Sequence, residues 1–389
     1  MQYPQRFEAL PDYAFPRLRA LLDHHEAGGP VLHMSIGEPR HDPPAFVAQV
    51  LADAVADFGR YPANDGTDAL RQSIADWVGR RYGVTLDHAN QILPLNGTRE
   101  GLFNAAVALC PEGAPVVLTP NPFYQVYAVA ALAMEAEPVY VPATAATDFL
   151  PDYAGLPAEV LDRTAIAYIC SPSNPQGAVA DEGYWRDLIA LAEKHDFRIF
   201  ADECYSEIYR DTPPPGAMQV AESMGADPER VVIFHSLSKR SNLPGLRSGF
   251  AAAGPKTMAR MKQLRNYAGA PLAGPIQTVS AAVWADEAHV DTSRRRYAAK
   301  FDMVDKVFDG IDGCAAPDAG FFLWLPVEDG EAAALKVWQQ TGIRTLPGAY
   351  LSRDVNGQNP GKGYLRAALV APEQDLQRGL IQLRDCLYG

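Results

Sequence analysis

The feature that most constrains this chain is a repeated alternation. Between about residues 90 and 265, short apolar runs are separated by longer segments whose apolar residues recur three and four apart. Runs that are apolar throughout fit strands covered on both faces, and the wider spacing fits helices packed on them, so the pattern predicts an α/β fold with a mostly parallel sheet between helices. Seven strands are predicted, at 91–95, 115–119, 138–141, 165–170, 198–201, 231–234 and 249–253, with helices over 98–110 and 182–196. Polar or Gly/Pro-rich residues follow nearly every strand, and open α/β sheets gather their ligands at the carboxyl ends of strands.

After about residue 290 the pattern changes to a helix at RRRYAAKFDMVDKVFDGI, a hairpin-like pair around GFFLWLP (320–326), a second helix, and a final helix after APEQDL. This predicts a smaller α+β domain. A chain of 389 residues suits two domains. The expected division is a large domain over 45–280 and a small one formed by 281–389 with the N-terminal segment 1–44 packed on it.

Composition narrows the partners. The net charge of −13 opposes whole-surface attraction to nucleic acid or an anionic membrane, so an anionic ligand must meet a local basic site. The five cysteines are widely spaced with no C-x-x-C pair, which predicts reduced thiols and no metal centre. The N-terminus mixes acids and prolines with its apolar residues, unlike a secretory signal, and no run of about 18 apolar residues offers a membrane span. A cytoplasmic location is expected.

The chemistry concentrates at three strand ends. In VVIFHSLSKRSNLPGLRSGF (231–250) a buried strand runs into Ser236, Ser238 and Lys239, with Arg247 further on. Two hydroxyls and a guanidinium suit a phosphate, and a desolvated amine beside them could form an imine with an aldehyde. Pyridoxal 5'-phosphate (PLP) carries both groups. In FRIFADECYSEIY (197–209) another buried strand delivers Asp202, with Tyr205 after it. A carboxylate there is costly unless a cation pairs with it, and a protonated pyridine nitrogen is such a cation. In AIAYICSPSNPQG (165–177) a third strand end supplies Asn174, whose amide could join the Tyr205 hydroxyl at the cofactor's phenolate oxygen. By itself S-x-S-N-P-Q-G is a turn. Its weight comes from occurring in order with the other two.

The ordered set SPSNPQG, ADECYSEIY and SLSKRSNLPGLRSG resembles the class I/II aminotransferases of the fold-type I PLP family, and the likeness runs over nearly the whole chain. It implies that Lys239 holds the cofactor and serves as base and acid, with Asp202 and Tyr205 as its catalytic companions and Asn174, Ser236, Ser238 and Arg247 as cofactor ligands. IGEP (36–39) resembles the motif in which the backbone of a glycine, here Gly37, meets the substrate carboxylate. NGTRE (96–100) resembles the turn whose amides, at Thr98 and Arg99, open a helix toward the phosphate. PNPFYQVY (120–127) offers Tyr124 for stacking on the pyridine, and GYLRAALV (363–370) offers Arg366 as the clamp on the substrate α-carboxylate. YPANDG (61–66) resembles the segment whose tyrosine, here Tyr61, reaches the phosphate of a neighbouring subunit, which implies a homodimer with shared active sites.

Within that family the chain is most similar to bacterial N-succinyldiaminopimelate aminotransferases, which work with glutamate and 2-oxoglutarate in lysine biosynthesis. That implies a second basic group for a distal carboxylate, and Arg99 is the candidate. An aspartate, alanine or aromatic aminotransferase and a PLP-dependent carbon–sulfur lyase are the alternatives. The carbon–sulfur lyase would betray itself by releasing pyruvate from cystathionine without added oxo acid.

Overall fold

The computed structural model describes residues 3–8, 10 and 12–389. The N-terminal segment contributes a two-residue strand, β1 (Leu32–His33), and the central sheet follows as β2 (Ile92–Leu95), β3 (Val116–Asn121), β4 (Glu137–Pro142), β5 (Thr164–Cys170), β6 (Arg198–Asp202), β7 (Val231–Ser236) and β8 (Gly249–Ala252). These are the seven expected strands, with ends moved by no more than a residue or two. The spatial order is β2-β8-β7-β6-β5-β3-β4. Only β8 runs against its neighbours β2 and β7; the remaining pairs are parallel.

Every residue of β2, β3, β7 and β8 is buried, because both faces of the sheet are covered. Alternate strand residues feed two separate apolar layers. Ile199, Ala201 and Ile233 join Trp77, Trp185 and Trp284 on one face. Phe200, Val232 and Phe234 join Tyr127 and Tyr168 on the other. Burial of this kind contributes roughly 25 cal/mol per Å² of apolar surface removed from water, which is why no polar side is needed. The helix Glu182–His195 starts where the Asp181 carboxylate accepts from the Tyr184 N–H at 2.7 Å, as a capping residue should.

The C-terminal third adds β9 (Phe322–Pro326), β10 (Ile343–Arg344), β11 (Leu346–Pro347) and β12 (Tyr364–Ala368). Here the sequence reading needs correction. GFFLWLP does not form a local hairpin: β9 pairs antiparallel with β12, and β12 with β11, in the order β11-β12-β9. The helix Gly330–Thr341 and the long loop after β11 intervene, so the partner of β9 lies beyond the reach of turn chemistry. The N-terminal segment is tied to this part. β1 pairs parallel with β10, and Leu18 and Leu22 of the helix Ala14–Leu22 pack with Trp338, Leu346 and Tyr350. No helix among the described residues is long and apolar enough to cross a membrane.

Candidate active site

Parallel pairing brings strand ends to one level. Cys170, the last residue of β5, is in register with Asp202, the last of β6, and Asp202 is in register with Phe234 of β7. The segments after these strands therefore meet, and a cavity of about 260 Å³ opens there. It is lined by Thr98 and Arg99 after β2, Asn174 after β5, Asp202 at the end of β6 with Tyr205 beyond it, and Ser236 at the end of β7 with Ser238, Lys239 and Arg247 beyond it. Gly37, Tyr124 and Arg366 complete it from the N-terminal segment, the residues after β3, and β12. Tyr61 alone of the residues singled out from sequence is elsewhere, fully exposed on the loop before the helix Asp68–Tyr82.

One end of the cavity suits an anion. The helix Thr98–Leu109 begins at Gly97, which has φ +80° and supplies no side-chain cap, so the first N–H groups of the helix are left for a ligand. A Cβ on Gly97 would collide with the guanidinium of Arg247, which shows how closely that cation approaches the helix start. Ser236 and Ser238 bond to each other at 2.9 Å, and the Thr98 hydroxyl lies 3.1 Å from Cys204 Sγ.

The same cavity holds cations without a carboxylate partner among the described residues. Arg366 is 4% exposed; its Nη1 donates to Asn174 Oδ1 at 2.7 Å and its Nη2 to the Ser35 carbonyl at 2.6 Å, while its Nε has no partner. Its cation lies 4.3 Å from the Phe322 ring centroid, and burial pulls its pKa down to about 10. Lys239 Nζ donates to the Gly37 carbonyl. Burial lowers its pKa to about 8; Cys204 and Glu38 oppose the shift, and Arg366 and Arg247 reinforce it. A lysine so placed is partly neutral near neutral pH and can take a proton.

Among the described residues Asp202 is the only carboxylate lining the cavity. Burial raises its pKa, and hydrogen bonds from Cys204 and Tyr127 pull it back down. The Tyr127 hydroxyl donates to Oδ2 at 2.8 Å. Tyr127 escaped the sequence reading, as did the aromatic and apolar rim of Tyr13, Phe15, Ile36 and Leu351. Tyr205 packs edge-on to Phe321, and Tyr124 accepts from Arg99 Nε at 2.7 Å. The cavity thus offers an anion cradle, a buried carboxylate able to face a ring cation, a lysine of depressed pKa and a buried arginine without a counter-ion. These are the donors and acceptors that the phosphate, the ring nitrogen, the aldehyde and an amino acid's carboxylate of PLP chemistry require.

Comparison with known proteins agrees. Residues 29–380 match the family model described as aminotransferase class I and II. An aminotransferase of Neisseria meningitidis is 38% identical, with a TM-score of 0.94 over 98% of this chain and 99% of that one. An LL-diaminopimelate aminotransferase of Dehalococcoides mccartyi is 30% identical over 99% of both chains. A probable N-succinyldiaminopimelate aminotransferase of Thermus thermophilus is 26% identical, with a TM-score of 0.84 over 96% of this chain and all of that one. The cavity's chemistry and these likenesses lead to one family: the chain belongs to the class I and II aminotransferases, enzymes whose cofactor is PLP.

Proposed function

We propose that the chain transfers the amino group of N-succinyl-LL-2,6-diaminopimelate to 2-oxoglutarate, giving N-succinyl-2-amino-6-oxopimelate and glutamate. The observation that carries this is a count of charges: Arg99, Lys239, Arg247 and Arg366 line the cavity against Asp202 alone. Lys239 is assigned to the cofactor aldehyde, Arg247 to its phosphate and Arg366 to the substrate α-carboxylate. Arg99, exposed at the rim, is left for a second carboxylate. Among the described residues no acid lines the rim to receive the free ammonium at the far end of unmodified diaminopimelate. The names of the LL-diaminopimelate aminotransferase relatives favour that unmodified substrate as the second reading.

Bound PLP supplies an electrophilic carbon and a ring that accepts the electron pair left when the Cα proton departs. Thr98, Ser236, Ser238 and Arg247 would hold its phosphate, Tyr124 its ring face, and Asn174 with Tyr205 its ring oxygen. Arg366 and the Gly37 backbone orient the amino acid by its carboxylate, so that its Cα proton is presented to Nζ of Lys239. That amine takes the proton and returns it to the adjoining carbon, while Asp202 keeps a proton on the ring nitrogen.

A homodimer accompanies this reading. Tyr61, Phe58, Val55 and Tyr267 are all exposed, and the Asn64 side chain donates to that of Asn266 at 3.0 Å, which joins their two loops into one surface. Covering that surface with a second copy would let Tyr61 serve the partner's phosphate site. The division into domains at 44/45 and 280/281 belongs to the same proposal. The test compares kcat/KM for the succinylated and free donors, in the parent and in Arg99→Gln. A preference of at least about tenfold for the succinylated donor that shrinks in the variant is expected, because an unpaired polar group in a pocket discriminates on this scale or above. Equal values in the parent would overturn the substrate, and an unchanged preference in the variant would overturn the role of Arg99.

A further inference from the structure

Asp202 is a carboxylate in an unusual position. It is 5% exposed, and no lysine, arginine or histidine among the described residues forms an ion pair with it. Its contact to the chain through Oδ1 is a long one, from the Cys204 N–H at 3.4 Å. Its short contact is through Oδ2, which accepts the hydroxyl of Tyr127 at 2.8 Å. The phenol therefore makes the one short hydrogen bond to this carboxylate, with the Cys204 thiol and N–H beside it as further donors.

That phenol is held from several sides. Tyr127 lies in the helix Val126–Ala133 and is wholly buried. Its ring stacks on Tyr168 of β5, with centroids 4.5 Å apart and planes 12° from parallel. The Tyr168 hydroxyl is itself anchored to the Leu102 carbonyl at 2.9 Å. On its other edge Tyr127 meets Tyr124 at 5.7 Å and 86°. Tyr124 lines the cavity, whereas Tyr127 does not, so Tyr127 stands behind two of the residues that would bracket the cofactor ring.

We propose that Tyr127 is a positioning residue for amino transfer: its hydroxyl fixes Oδ2 of Asp202, leaves the other oxygen for the cofactor ring, and keeps the carboxylate a weaker base than the ring nitrogen. The proposal rests on the reading that Asp202 faces that nitrogen. The physics is a competition for one proton. A buried carboxylate is a strong base, and a donor that bonds its charged form weakens it. Without the phenol, burial would favour moving the proton from ring to carboxylate, leaving a neutral pair and a poorer acceptor of electrons. The phenol is suited to the task because burial and the neighbouring Asp202 hold its pKa well above the usual tyrosine value, so it remains a donor.

The test uses holoenzyme loaded with PLP carrying ¹⁵N at the ring nitrogen. Tyr127→Phe should move the ¹⁵N resonance toward its unprotonated position and lower kcat about 10- to 100-fold, the range of a hydrogen bond to a charged group. KM for the amino donor should stay within about twofold, because Arg366 is untouched. Tyr168→Phe, which loses the anchor and keeps the stack, should leave the resonance in place. If Tyr127→Phe does not fold, 3-fluorotyrosine at position 127 keeps the shape and makes a stronger donor, and should shift the resonance toward the protonated side. An unmoved resonance in the Tyr127 variants, or a raised KM at constant kcat, overturns the proposal. Asp202→Asn separates the two readings: an unmoved resonance there would sink the placement of Asp202 itself.

Discussion

Buried cations are treated in opposite ways in two regions of this molecule. Beside the sheet, Arg240 is 2% exposed and reaches Glu287 at 2.7 Å, along with the carbonyls of Val283 and Asp286. Arg265, 4% exposed, grips both oxygens of Glu100 at 2.7 and 2.8 Å. In the cavity, Arg366 is as enclosed and Lys239 is half-buried, and their N–H groups donate only to carbonyl and amide oxygens. A buried cation without a counter-ion destabilises the fold, so it persists where something other than the protein brings the anion. At Arg240 and Arg265 the scaffold supplies its own carboxylate, whereas the cavity leaves its cations open for ligands.

The largest effect that could break this contrast is at Lys239. Lys239→Ala should remove the visible absorbance that borohydride abolishes in the parent and lower turnover by at least about 10²- to 10⁴-fold, the range for losing a positioned acid–base group. The cofactor-free variant should melt at or above the parent's temperature. A normal absorbance band would show that another lysine holds the cofactor, and a large loss of stability would show that Lys239 belongs to the scaffold.

A matched pair of substitutions sharpens it further. Arg366→Met should raise KM for the amino donor about 10- to 100-fold, the worth of one or two hydrogen bonds to a carboxylate, with stability held or improved. Arg265→Met should do the reverse, costing about 2 kcal/mol of unfolding free energy while the folded fraction keeps its turnover. Stranding Glu100 would cost more if that carboxylate were fully dry, but its side chain is 24% exposed. The two variants need only urea titration and initial rates. Equal losses of stability in both would erase the distinction.

The contrast also explains what could be read from sequence. Strand ends carry both an apolar run and the polar residue that ends it, so Asp202, Asn174, Ser236 and Lys239 announce themselves within a few residues of a local pattern. Arg366 was found through family resemblance, because a single arginine in a strand looks like any surface residue. Tyr127 was not found at all. It lies on an apolar helix face among alanines, and its acceptor is 75 residues away. The partner of β9 was missed for the same reason, since register between Leu325 and Leu365 is set by packing and not by a turn. Tyr61 shows the limit from the other side: it is fully exposed, and only the family resemblance gives it a role.

The smallest expected effect tests whether the contrast holds outside the cavity. Lys300 has no exposed surface and donates to His41 Nε2 and the Leu369 carbonyl, each at 2.9 Å, with no carboxylate among the described residues paired to it. Burial lowers its pKa to about 8, with Glu373 opposing and Arg296 assisting, and burial followed by Lys300 itself takes His41 down to about 4. The sign of the linkage follows. Below about pH 8 the lysine is charged in both states and its burial penalty is fully present. Between about 8 and the unfolded value near 10.5 the unfolded chain binds the proton and the folded one does not, so stability rises with pH, and above that range the penalty is gone. Lys300→Met forfeits two hydrogen bonds at any pH but escapes the charge penalty only at the lower ones. The substitution should therefore cost about 2–3 kcal/mol more at pH 10 than at pH 7, read from urea titrations of parent and variant at both values. A cost that does not change with pH would mean that this enclosed cation carries no penalty, and the absence of a counter-ion at Arg366 and Lys239 would then cease to mark them as ligand sites.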